Sequence, residues 1–142
     1  MRIERSVNTR LGRLSLLTAA MAAPLLWAAP ATAAPAAPSS PTGSYLLTVE
    51  PEKGLGVARS ATLTCAPDGG THTTAATACD QLRRARGKVA AIPEDPGPCT
   101  KEYAPVRVTA VGTWKGQQRR YTQTYSNHCM AVRATGGVLF AF

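Results

Sequence analysis

Several ingredients of catalysis are scarce in these 142 residues. There are only two His, His72 and His128, and only 8 Asp+Glu. No Ser sits in a G-x-S-x-G elbow, so a Ser-His-Asp hydrolase lacks its nucleophile. His72 falls at a loop–helix junction and His128 beside Cys129, where each reads as a polar loop residue rather than a base. Glu94, Asp95 and Glu102 share one segment but form no evident paired constellation. No glycine-rich phosphate cradle or dinucleotide fingerprint occurs, so no cofactor is expected. No C-x-x-C pair or H-x3–5-H spacing is present either, so no metal is expected. These absences argue against an enzyme.

Acidic residues are also few relative to basic ones. Lys+Arg number 16 against 8 Asp+Glu, a formal net charge of +8 that invites a nucleic-acid reading. The distribution weakens it. Arg2, Arg5, Arg10 and Arg13 precede an uncharged run, Leu14 to Ala29, that is too short for the roughly 20 residues of a membrane-spanning helix. Arginines, a short apolar run and the small-residue site Ala31-Thr32-Ala33 predict a secretory signal peptide over residues 1–33. Its removal takes four of 16 bases and one of 8 acids, leaving 12 against 7, a net of +5. Of those bases only Arg83, Arg84, Arg86 and Lys88 cluster in sequence. They suit the solvated end of a helix, where cations also complement the dipole. No RNA-binding motif or alternation of aromatic and basic residues accompanies them, so no nucleic-acid partner is expected. A secreted location and no membrane contact after signal cleavage are expected.

Four Cys remain: Cys65, Cys79, Cys99 and Cys129. An even count in a small exported domain predicts two disulfides, and spacing alone leaves all three connectivities open.

Residues 34–44, rich in Pro, Ala and Ser, predict a flexible arm, and residues 45–142 one domain. Tyr45–Glu50 and Ser60–Cys65 read as strands, the first closed by Pro51 and a Lys53-Gly54 turn. Thr73 or Thr74 caps an Ala-rich helix running to about Arg86, with Gly87 at its C-terminus. Ala75, Ala78, Cys79 and Leu82 share one face of it. Val106–Trp114 alternates strictly, Lys115–Gln118 is a hairpin turn, and Arg119–Ser126 returns with Tyr121 and Tyr125 on one face. Asn127–Thr135 makes one or two helical turns, and Val138–Phe142 closes as a strand. The fold class is α+β: a five-stranded antiparallel sheet packed by one longer and one short helix, with two disulfides.

Between Gly87 and Pro105 lie four prolines and no regular period after Ile92. So long an irregular segment in a small domain is usually functional or mobile, and Cys99 within it implies a tether. An exposed, proline-stiffened, anchored loop with a lone Lys101 suits a substrate-mimicking protease inhibitor, although spacing alone favours an ordinary surface loop with an ordinary surface lysine.

The segments TLTCAPDGGTH, ATAC, CTKEYAPV, YSNHC and the terminal VLFAF resemble the Streptomyces subtilisin inhibitor family, over essentially Tyr45 to Phe142. The resemblance implies disulfides Cys65–Cys79 and Cys99–Cys129, and a reactive bond Lys101–Glu102. Lys101 is then the primary specificity residue, with Pro98, Cys99 and Thr100 before the bond and Tyr103 after it. Thr100 stands where the family often has Pro. Asn127 is implied as a brace for the loop, an alternative to its reading as a helix N-cap. Subtilisin-like and trypsin-like serine proteases, and a second copy of the chain, are the partners expected. A secreted interaction module without protease specificity is the competing expectation.

Overall fold

The computed structural model describes residues 40–52 and 56–142. The expected signal peptide, most of the expected arm and the Lys53-Gly54 turn lie outside the described residues. Within them the order is β1 (Gly43–Pro51), β2 (Arg59–Cys65), β3 (Gly69–Gly70), α1 (Ala75–Arg84), a 3-10 turn (Val89–Ala91), β4 (Val106–Trp114), β5 (Gln117–Tyr125) and α2 (His128–Ala134). The five strands form one antiparallel sheet in the order β3-β2-β1-β4-β5. None of the helices described is long and apolar enough to cross a membrane.

Period-two alternation decides which sheet face is covered. Tyr45, Leu47 and Val49 of β1, Leu63 of β2, and Val106, Val108 and Ala110 of β4 point into the core. Ala78, Cys79 and Leu82 of α1 cover them, joined by Ala131 of α2. Tyr121 and Tyr125 lie on the same face of β5 as expected, with their hydroxyls 2.6 Å apart. The opposite face is open: Leu46 is 51% exposed there, opposite Thr62 and Val111.

Local signals meet tertiary corrections at several ends. β1 begins at Gly43, two residues inside the expected arm. The β4–β5 turn needs only two residues, Lys115 (φ +49°) and Gly116 (φ +75°). Two positive φ values make it a type I′ turn, whose twist matches that of the strands. Neither Thr73 nor Thr74 caps α1 through its side chain; the Nδ1 atom of His72 accepts the Thr74 N–H at 3.1 Å instead. At the other end the Gly87 N–H reaches the Leu82 carbonyl and the Arg86 N–H that of Arg83. That is a Schellman closure, with Arg86 itself in the left-handed region at φ +54°. Gly87 follows at φ +74°, where a Cβ would come within 2.2 Å of Trp114 Cγ.

The expected strand Val138–Phe142 is not one. Residues 136–140 turn, and Leu139 and Phe140 are fully buried. Their carbonyls pair with His72 Nε2 (3.1 Å) and His128 Nε2 (2.8 Å) rather than with a strand. A short apolar run specifies burial, not extension. The fifth strand is instead β3, a glycine pair whose lack of side chains hides it from any apolar pattern.

Candidate functional site

The segment between the 3-10 turn and β4 carries no helix or strand. Pro93, Pro96, Pro98 and Pro105 keep it out of helical geometry, because each lacks an N–H, its ring crowds the preceding turn, and the residue before it is pushed to extended backbone. It arches over a cleft of about 390 Å³ lined in part by Thr100, Glu102, Asn127, His128 and Cys129. Pro98, Thr100, Lys101, Glu102 and Tyr103 are all exposed, Tyr103 by 74%. Lys101 does not line the cleft, so its side chain is free to enter a partner's pocket.

The cysteines pair as Cys65–Cys79 and Cys99–Cys129, with no free thiol. The first bridge staples β2 to α1. The second ties the loop to the first turn of α2, with Cα atoms 5.8 Å apart. Cys65 and Cys79 also stand close to Asp68, but sulfurs committed to a disulfide are not thiolate ligands.

Asn127 is buried, 6% exposed, between the loop and α2. Its Nδ2 donates to the Thr100 carbonyl at 3.0 Å and to the Glu102 carbonyl at 2.9 Å. Its Oδ1 accepts the Met130 N–H at 2.9 Å, capping α2. The brace and the cap are therefore one side chain acting through its two ends. The carbonyls it holds flank the Lys101–Glu102 peptide, one on each side.

Both legs of the loop are fixed further by contacts that the sequence pattern did not reveal. Before the bond, the Asp95 N–H donates to the Arg133 carbonyl at 2.9 Å, and Arg133 Nη1 pairs with Asp95 Oδ2 at 2.5 Å. After it, the Ala104 N–H donates to Ser126 O and the Glu52 N–H to Pro105 O, each 2.9 Å. Asp95 stood out only as a carboxylate without a partner; its cation lies 38 residues on, beyond the reach of local spacing.

Neither His forms a catalytic arrangement. His72 is buried, its two ring nitrogens taken by Leu139 O and the Thr74 N–H. His128 Nε2 donates to Phe140 O, and Nδ1 lies 3.2 Å from Arg59 Nη2. Both rings anchor the chain end.

This geometry can present an extended peptide to a protease and keep both ends in place if Lys101–Glu102 is cut. Cys99 retains the first end, β4 and the Ala104 bond the second, and Asn127 touches both.

Comparison with known proteins points the same way. The model of the family described as subtilisin inhibitor-like matches residues 41–127. A subtilase-type protease inhibitor of Streptomyces coelicolor is 43% identical over 132 residues, covering 88% of this chain and 91% of that protein. A protease inhibitor of Streptomyces lividans matches equally, with 43% identity over 132 residues. Both are named as inhibitors, not enzymes. Among solved structures, that of Streptomyces caespitosus sermetstatin in complex with Bacillus licheniformis subtilisin aligns with a TM-score of 0.55 and 30% identity, over 70% of this chain and 98% of the matched one.

Proposed function

This chain belongs to the subtilisin inhibitor-like family, and on that premise we propose that it inhibits serine endopeptidases by presenting Lys101–Glu102 as a substrate-like bond. The observation that carries the proposal is Asn127 holding the Thr100 and Glu102 carbonyls, beside the Cys99–Cys129 bridge. A protease binds an extended segment and inserts one side chain into its S1 pocket. A loop already held in that form loses little entropy on binding, so more of the contact energy appears as affinity. Pro98, Cys99 and Thr100 occupy the subsites before the bond, and Glu102 and Tyr103 those after it. If the bond is hydrolysed, the new amine stays beside the acyl group, and resynthesis competes with release.

Lys101 sets the range of targets. A trypsin-like pocket carries a buried Asp that pairs with the ammonium. A less selective subtilisin-like pocket accommodates the aliphatic stem while the charge stays in water. The subtilisin complex of the Streptomyces caespitosus relative supports the subtilisin-like class. The protein is proposed to act outside the cell after removal of residues 1–33. It is also proposed to pair with a second copy through the open sheet face around Leu46. Sedimentation at micromolar concentration should give twice the chain mass, and a monomer would refute the pairing.

Titration of the purified protein against subtilisin and trypsin tests the inhibition, with one enzyme bound per chain expected. Lys101→Glu places a carboxylate against the S1 Asp and is expected to cost about 4 kcal/mol, roughly 1000-fold, on trypsin, and far less on subtilisin. Equal trypsin inhibition by the two proteins would sink the assignment of the bond. Failure of the unaltered chain to inhibit either enzyme would leave an interaction module.

A further inference from the structure

The bases that look scattered in sequence are gathered by the fold. The closure of α1 places Arg86 and Lys88 on either side of Gly87, whose backbone packs on Trp114. Lys115, the next residue, begins the β4–β5 turn, and Arg119 follows on β5. Two adjacent clefts result. One of about 440 Å³ is lined by Arg83, Arg86, Trp114, Lys115 and Arg119 among others. The second, of about 180 Å³, shares Arg119 and adds Lys88 and Arg120.

Arg83 is already neutralised, by Asp68 at 2.9 Å and Asp80 at 2.7 Å. Arg86, Lys88, Lys115 and Arg119 form no ion pair among the described residues. Arg119 donates only to Gln117 Oε1 and, at 3.5 Å, to Gln118 O, and its Nε has no acceptor. The cluster also lies at the far end of the sheet from the loop. β4 leaves the loop at Val106 and reaches the cluster at Trp114, about 26 Å away at the usual rise per residue.

We propose that this end of the molecule binds a linear phosphate polyanion, with Arg86, Lys88, Lys115 and Arg119 each meeting a phosphate, while Lys101 remains free at the other end. Phosphate fits because guanidinium forks match its oxygens in pairs. A polymer fits because exposed, screened cations hold a single phosphate weakly, whereas several contacts along one chain add. A nucleic acid fits less well. Its bases need exposed aromatic faces, but Trp114 is 4% exposed and Tyr103 lies at the loop end.

The test is binding of fluorescently labelled inorganic polyphosphate to the full chain. Binding should weaken with a log–log salt slope of about −3, roughly 60-fold between 50 and 200 mM salt, as four contacts at about 0.7 each require. Arg86→Asn, Lys88→Gln and Lys115→Asn together should cost at least about tenfold; Asn is chosen at 86 and 115 because it tolerates positive φ. Subtilisin inhibition should be unchanged in that variant, which also reports that it is folded. Lys88→Gln alone should lower the slope by about 0.7, a reading that does not depend on the triple variant folding. Arg59→Gln, Lys101→Gln and Arg107→Gln together remove the same charge elsewhere and should leave polyphosphate binding intact. Equal loss in the two triple variants would show diffuse net charge and overturn the proposal, as would absence of binding at 50 mM salt. Tighter binding of single-stranded DNA with the same number of phosphates would overturn it in favour of a nucleic acid.

Discussion

Asn127 uses both ends of its carboxamide, accepting from Met130 N–H and donating to the carbonyls of Thr100 and Glu102. Replacement by Asp separates the two roles. A carboxylate at the N-cap is at least as good an acceptor and complements the helix dipole. It has no N–H, however, and sets negative charge against two carbonyl oxygens. Asn127→Asp is therefore expected to keep α2 capped but to lower the unfolding free energy by about 2 kcal/mol, through the two donors lost at a buried site. Inhibition of subtilisin should weaken about 10- to 100-fold, the worth of two lost hydrogen bonds at about 1 kcal/mol each. Cleavage after Lys101 should also accelerate. Unchanged inhibition constants would show that the loop holds its shape without the brace. The cap is legible in sequence because Asn127 and Met130 are three apart. The donors' targets, 27 and 25 residues away, are not.

The loop as an element depends on covalent closure more than on its own sequence. Between Pro93 and Pro105 it contributes no residue to the buried core, and its anchors are Cys99, Asp95, Ala104 and the Asn127 amide. Cys99→Ser with Cys129→Ser removes a bridge separated by 30 residues, and the chain-entropy model puts its contribution at about 3–4 kcal/mol. The folded variant should become a substrate. Subtilisin digestion followed by mass spectrometry is expected to show rapid accumulation of a cut after Lys101, whereas the parent is cut slowly and stays associated. Retention of full inhibition would mean that the Arg133–Asp95 pair and the Asn127 amide suffice. That pair is partly exposed on both sides, so its own contribution to stability is at most about 1 kcal/mol. Its role is to aim the loop's first leg.

At the scale of the whole molecule, pH acts through buried phenols more than through carboxylates. Burial pushes Tyr45 up to about 12, against the lesser opposing field of Arg119, and its hydroxyl donates to the Gly87 carbonyl at 2.7 Å. Burial likewise raises Tyr121, reinforced by its hydrogen bond with Tyr125. A phenol whose folded pKa exceeds its unfolded value stabilises fully below the unfolded value near 10, and this stability is lost as pH rises through the folded value. Stability is therefore expected to fall between about pH 10 and pH 12, and Tyr45→Phe should fall less steeply over that window. Denaturant unfolding on both sides of pH 10 measures this; parallel curves for the two proteins would exclude Tyr45. On the acid side, the hydrogen bond from Arg83 holds Asp68 at about 2, helped by the Ala66 N–H. Stability from this depressed carboxyl is lost as pH falls from about 4 to about 2, and its contact with solvent makes the effect shallow.

Much of the fold was legible because it is written in short periods. Alternation places Val106, Val108 and Ala110 inward, helical spacing turns Ala78, Cys79 and Leu82 to the sheet, and four prolines with Cys99 mark the loop. The segments shared with the subtilisin inhibitor family implied both bridges, which the residue spacing alone left open. Period and propensity describe a residue's immediate neighbours and carry no term for residues brought together by folding. Tertiary structure therefore decided that Asp95 meets Arg133, that His72 rather than a Thr takes the α1 amide, and that VLFAF is buried without becoming a strand. It likewise gathered Arg86, Lys88, Lys115 and Arg119 at one end of the sheet and left Lys101 at the other, because antiparallel pairing, not sequence distance, sets which strand ends lie together.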